Sequence, residues 1–400
     1  LTNALLILGT VSLLGLLSGK FLNYLRIPAV VGYVLTGVIL GTSVIGWLTP
    51  AHLNSLGLIN ELALGFIAFT IGAELEWNAI KRLGASIISI SIAEATGAFA
   101  LVTLSMYLMT GKLYFALILG AVASATAPAA TMMVLQETKA KGVLTSTLIA
   151  VVAIDDALAL ILYGFASSLA HVLLGSNNQL SIKALFFNPG MEILGSLVLG
   201  IVFGLLLSLM MKKIRTPHEL TILVVSMVFI NSGLAIAFNF SELLADMALG
   251  ATLANMVPSL SRRIFGLIEA FTPAIYCMFF VLAGARLQIG LFYRVGWLGL
   301  VYILARMSGK VGGTIFGATV SHTSKTVRKY LGFGLLSQIG VAVGLAIIVG
   351  HDFPSSVYGA AGEQLSLWII NILLFTTLIT EVMGPLLTKY AVTKAGENNA

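Results

Sequence analysis

Thirteen apolar stretches follow one another through this chain, separated by charges or turns, at approximately 3–23, 29–46, 56–75, 85–109, 113–135, 145–170, 191–211, 218–238, 241–257, 263–284, 296–320, 329–350 and 364–387. A run of about 20 apolar residues suits a helix that crosses a bilayer. Such a helix is one of the few structures that satisfies its own backbone in hydrocarbon. Composition agrees: 58% of residues are hydrophobic and 10% charged, where a soluble domain carries about 25% charged residues. The fold class read from the sequence is therefore an all-α polytopic membrane protein, with no stretch long enough for a separate soluble domain. The opening LTNALLILGTVSLLGLLSGKFLNYL lacks a basic leader region and is too long for a cleaved signal, so it reads as the first span.

Loop charge gives an orientation. With the N-terminus outside, sixteen basic residues fall in inside loops and four (Lys112, Lys183, Arg286, Arg294) outside, which favours N-out and C-in. The net charge of +6 has its origin there, so it does not point to nucleic acid. The single cysteine, Cys277, gives no disulfide framework, and the five histidines have no metal-ligand spacing. The charges left over, Arg306 and Lys310, lie inside the eleventh stretch.

The sixth stretch, TSTLIAVVAIDDALALILYGFASS, carries Asp155 and Asp156 near its middle. A carboxylate at the bilayer centre costs roughly 2.5–3.5 kcal/mol on the mildest insertion scale. Two ionised neighbours also repel, so at least one is expected to be protonated or paired. The pair suits binding of a cation, a proton, or each in turn, and predicts a transporter. Adjacent residues on one helix point about 100° apart, which argues against an intramembrane aspartyl protease, whose two acids must share a water. No enzymatic activity is expected.

Two stretches are interrupted at related places. The fifth contains ASATAPAATMM with Pro128, and the twelfth contains LLSQIGVAVGLA with Gln338, Gly340 and Gly344. They lie seven spans apart, an odd offset, and so run in opposite directions. Paired interruptions at corresponding positions mark a transporter's binding site, although a lone Pro128 also fits a simple kink. Broken helices free carbonyls for a cation and present helix N-termini. Thr126 and Ser124 beside the break are candidate oxygen ligands. The same offset pairs the sixth and thirteenth stretches and the fourth and eleventh. Lys310 sits at a depth matching Asp155 and Asp156 and is their expected charge partner, with Arg306 as a second candidate.

These residues resemble the monovalent cation:proton antiporter superfamily, in its NapA- and Kef-type branch. The resemblance is carried by RIPAVVGYVLTGVILGTS, NELALGFIAFTIGAELE, TAPAATMMVLQE, AIDDALALILYG and ARMSGKVGG. It implies an antiporter fold with inverted repeats and two crossed broken helices. It also implies a homodimer, a dimerisation panel (about 1–54 and 191–257) and a core ion-transport bundle (about 55–170 and 263–390) that moves like an elevator. By resemblance Asp156 is the main carrier of Na⁺ (or Li⁺) and H⁺, and Asp155 pairs with Lys310. An Asp-Asp pair implies electrogenic exchange in the service of pH homeostasis. No resident cofactor is implied, since Na⁺ and H⁺ are cargo. The expected setting is the cell (inner or plasma) membrane, with lipid as the surrounding partner. A cytoplasmic regulatory domain is a further expected partner if the native chain extends beyond residue 400. The competing readings are a K⁺/H⁺ antiporter of Kef type and a sodium-coupled organic solute symporter on the same fold.

Other polar residues carry lesser expectations. Glu94 should find a structural partner such as Arg306, and Glu61 and Glu269 should find local partners within the bundle. Glu242 and Asp246 are expected near the outer mouth. Glu74, Glu76, Lys81 and Arg82 read as a solvated cytoplasmic turn, and Met132 and Met133 as apolar filler.

Overall fold

The chain is almost entirely helical in a computed structural model that describes residues 3–25, 29–77, 84–174, 182–214, 216–288, 290 and 292–398. Its first six helices are α1 (Ala4–Tyr24), α2 (Ala29–Leu40), α3 (Pro50–Ser55), α4 (Gly57–Glu74), α5 (Ala85–Thr110) and α6 (Leu113–Ser124). They are followed by α7 (Pro128–Glu137), α8 (Val143–Leu174), α9 (Ile182–Met211), α10 (Pro217–Ala237), α11 (Glu242–Met256) and α12 (Pro258–Ala285). The last four are α13 (Phe292–Val320), α14 (Lys325–Tyr330), α15 (Gly340–Asp352) and α16 (Ser355–Lys394). Lys81 and Arg82, and the side chains of Glu74, Pro128, Met133, Lys183 and Arg294, lie outside the described residues.

Each of the thirteen expected spans coincides with a helix or a broken pair of helices. By length and composition, seven of the described helices suffice to cross a membrane, and eight if the bent pair at Lys325–Leu335 and Gly340–Asp352 is one crossing. Shorter ones such as α2 and α6 do not reach that length alone. The number of crossings is therefore not fixed at thirteen by helix length.

The start of α8 has a tertiary origin. The carboxylate of Glu397, at the far end of the chain, accepts from the backbone N–H groups of Leu144 and Thr145, both at 2.8 Å, and from the Thr145 hydroxyl at 2.8 Å. An acid at a helix N-terminus satisfies orphan donors and complements the dipole. Thr216 and Ser241 do the same for α10 and α11 locally.

One buried core gathers five helices. Phe66 and Phe69 of α4 share a buried apolar core with Leu207 and Met211 of α9, Val224 and Val228 of α10, Leu249 and Leu253 of α11, and Ile264 and Ile268 of α12. Val281 and Leu282 of α12 pack with Ile7 and Val11 of α1. The sequence boundaries group α4 and α12 with the core bundle; both helices contribute to this core and, through Leu64 and Phe279, to a larger one shared with α6, α8 and α15. The α4 contact is close because Gly72 and Gly250 bring the two backbones together: a Cβ on either would overlap the facing helix.

Elsewhere α13 runs against α5. Gly309, Gly313 and Gly317, spaced four apart, line one face of α13, and a Cβ on Gly309 would come within 2.7 Å of Ala98 Cα. Small residues four apart let membrane helices approach to backbone contact. This approach sets the depth of Lys310, one residue past Gly309, relative to Glu94 on α5.

Candidate functional site

The two interrupted helices meet at their breaks. The first break spans residues 125–127, with Pro128 as the first residue of α7, the position where a missing N–H is harmless. The second follows a short 3₁₀ turn, Leu331–Leu335, and ends at Gly340, the first residue of α15, with the two halves bent by 48°. Gly344 lies within regular α15 and is not part of the break; it lets Leu64 of α4 pack closely. Ala127 N–H donates to Ser337 O at 2.9 Å, and the Thr131 hydroxyl donates to Gly334 O at 3.0 Å, which ties one break to the other.

Most of the carbonyls freed by the breaks are already engaged. Arg306 of α13 is fully buried, and its guanidinium donates through Nε to Ala123 O (3.0 Å) and through Nη1 to Leu336 O (2.7 Å). Its Nη2 donates to Ala125 O (2.8 Å) and Ser337 O (3.4 Å). Gln338 Nε2 donates to Val122 O at 2.9 Å and also meets the Tyr302 hydroxyl. The last carbonyls of a helix are orphaned acceptors at the negative end of its dipole. A planar cation with five donors is well suited to cap two such ends at once. Arg306 thus hydrogen-bonds the backbone of both broken helices while staying within electrostatic reach of Asp155 and Glu94, and these five carbonyls each already accept a donor.

The ionisable centre is built beside this crossing. Lys310, one helical turn beyond Arg306, is fully buried, and each of its ammonium protons has an acceptor. They are Thr126 Oγ1 at 2.7 Å, Asp155 Oδ2 at 2.8 Å and Glu94 Oε2 at 2.9 Å. Thr126 in turn donates to Asp155 Oδ2 in a very short hydrogen bond. Four segments thus converge on one ammonium: α13, α8, α5 and the first break. Asp155 is fully buried and Asp156, next on α8, is 7% exposed. The Ser124 hydroxyl donates to Ala121 O at 2.5 Å, within its own helix.

Glu94 has a structural partner as expected, but that partner is Lys310 and not Arg306. Glu381 of α16 was not singled out from sequence, although an acid inside the thirteenth apolar stretch is the same signal that marks Asp155. It is 1% exposed, close to the backbone of Gln338 and within electrostatic reach of Arg306. Asp246 is fully buried, with Asn231 Nδ2 donating to it at 2.8 Å and the Ser232 hydroxyl at 2.6 Å. Glu61 faces His351 at 3.9 Å across α4 and α15. Glu269 is exposed and not inside the bundle.

A polytopic helical protein with crossed broken helices and a buried acid–lysine centre belongs to the class of ion-coupled membrane transporters. The family described as "Sodium/hydrogen exchanger, transmembrane" matches residues 9–389, and the chain belongs to it. It is 26% identical to the Na⁺/H⁺-K⁺ antiporter GerN of Bacillus cereus over 92% of both chains. It is 24% identical to KefB of Alkalimonas amylolytica, named for K⁺ efflux antiport, over 91% of this chain, and spans 53% of that relative's length. The fold matches the structure of the sodium proton antiporter MjNhaP1 from Methanocaldococcus jannaschii with a TM-score of 0.81. That match covers 98% of each chain at 18% identity.

Proposed function

We propose that this chain is a secondary active antiporter that exchanges Na⁺ for H⁺, with Asp156 as the main carrier and Asp155 and Thr126 completing its site. One observation carries the reading: a lysine and a neighbouring pair of aspartates, all buried, meet at the crossing of two broken helices in a chain of the exchanger family. A site that is negatively charged when empty can be neutralised by a cation or by protons, and competition between them is exchange. Two titratable acids around one monovalent ion allow two protons for one Na⁺, so the cycle moves net charge.

Alternating access is proposed as an elevator. The helices of 85–174 and 292–394 carry the site and move against a panel formed by 3–74 and 182–285. This division follows the packing of α4, α9 and α12 described above. The panel would pair two copies into a homodimer in the plasma membrane, with the N-terminus outside.

The test uses purified protein in proteoliposomes with a trapped pH dye, adding Na⁺, Li⁺ and K⁺ in turn. Na⁺ should drive proton efflux and alkalinise the lumen. A response to K⁺ alone would replace this reading with K⁺/H⁺ exchange, which the name of GerN makes worth including. Proton movement only with an organic solute present would overturn antiport.

A further inference from the structure

We propose that Glu94 is a second counter-ion for Lys310 and takes over its ammonium when Asp155 turns to the transported cation. This rests on the antiport reading and adds a positioning residue from a helix that carries neither the acid pair nor a break.

The geometry supports a change of partner. Glu94 and Asp155 reach the same Nζ at 2.9 and 2.8 Å from neighbouring helices, α5 and α8, the two carboxyls also lie within hydrogen-bonding reach of each other, and all three side chains are fully buried. Were Asp155 the only acid on Lys310, its departure toward a cation would leave a buried ammonium unpaired. Breaking a buried pair in that way is strongly unfavourable. With Glu94 in place, Lys310 keeps an acid partner throughout: as Asp155 turns to the cation, the proton that the two carboxyls share leaves to water, Glu94 is left as the carboxylate on Lys310, and no charge is stranded. The position of Glu94 is independent of α8. Its Cα lies against Gly313 of α13, where a Cβ would come within 2.7 Å of it, so Glu94 and Lys310 belong to one rigid pair of helices. Asp155 is the member free to change partner.

Glu94→Gln keeps an oxygen for Lys310 but removes the charge. Lys310 then holds Asp155 alone, and Na⁺ must compete with it. The expected result is a rise of about tenfold or more in the apparent KM for Na⁺, with the maximal rate changed much less and Glu94→Asp restoring most of the affinity. A general loss of negative potential would also raise KM, so the deciding measurement is a double-mutant cycle. In a Lys310→Gln background, Glu94→Gln should have little further effect on KM, because there is no ammonium left to hold. An equal effect in both backgrounds, or an unchanged KM in the single variant, overturns the proposal. If Glu94→Gln does not yield folded protein, the same cycle is run with Glu94→Ala, which also removes the charge. Wild-type vesicles are assayed alongside: no Na⁺-driven proton movement there would defeat the antiport reading itself, whereas active wild type with an indifferent Glu94 variant defeats only this inference.

Discussion

Two aspartates are fully buried in different halves of this molecule, and their surroundings differ in kind. Asp155 is held by an ammonium that also serves Glu94, and by a threonine at a helix break. Asp246 is held by the neutral Asn231 and Ser232, both on the uninterrupted helix α10. A charged partner shared between two acids can be traded between them. Neutral hydrogen bonds from one regular helix fix a carboxyl in place and offer it no alternative. On the proposed reading, burial of an acid in the membrane is not enough to mark a transport site, and a partner that can be exchanged is what sets Asp155 apart.

The largest expected effect is at the residue beside Asp155. If Asp156 carries cation and proton in competition, Asp156→Asn should reduce Na⁺-driven proton movement to background while the protein still purifies in folded form. Near-normal exchange by that variant would move the site elsewhere.

Lys310→Gln comes next. It leaves Glu94 and Asp155 facing each other with no cation between them, and losing one partner of a buried pair costs about 3–5 kcal/mol. Thermal unfolding in detergent should shift down markedly, and any surviving exchange should respond less to an imposed potential. Moving one charge through 100 mV corresponds to about 2.3 kcal/mol, so the wild-type response is readily measured in sealed vesicles. Unchanged unfolding and unchanged voltage response would show that Lys310 does not hold the acids.

Arg306→Lys tests the other base. An ammonium cannot reproduce the fork that reaches Ala123, Ala125, Leu336 and Ser337, and each carbonyl left without a donor costs about 1–3 kcal/mol. A loss of that order is expected, with a slower maximal rate and an Na⁺ affinity near wild type. A selective loss of Na⁺ affinity would instead place Arg306 in the ion site.

The sequence made the helices, the interruption at Pro128 and the depth match of Asp155 with Lys310 legible, because apolar length, a missing N–H and intramembrane charge are local signals. It did not reveal which base meets which acid. Arg306 and Lys310 are one turn apart on the same helix, and their different tasks depend on where the broken ends of two other helices cross. Glu94 was visible as an acid in an apolar run, but its partner depends on the glycine contact between α5 and α13. The close approach of α4 and α11 at Gly72 and Gly250 likewise joins residues far apart in the chain, and no local signal announces it.

The smallest effect is expected at Asp246, and it is the one that most directly tests the contrast between the two acids. Asp246→Asn is nearly isosteric. One side-chain oxygen remains to accept from Asn231 Nδ2. The other position becomes an amide donor facing Ser232, whose hydroxyl also lies within hydrogen-bonding distance of Val228 O (2.9 Å) and can turn to it while accepting from the new amide. The hydrogen-bond count is thereby kept with one reversal of direction, so the stability change should be about 1 kcal/mol or less. No charged partner is left stranded, because Asn231 and Ser232 are neutral, and this is the physical difference from Lys310→Gln. Exchange rate, Na⁺ affinity and voltage response should all match wild type in the same proteoliposome assay. Loss of exchange with unfolding unchanged would mean that Asp246 takes part in the transport path, and that neutral partners are enough to make a buried acid a carrier.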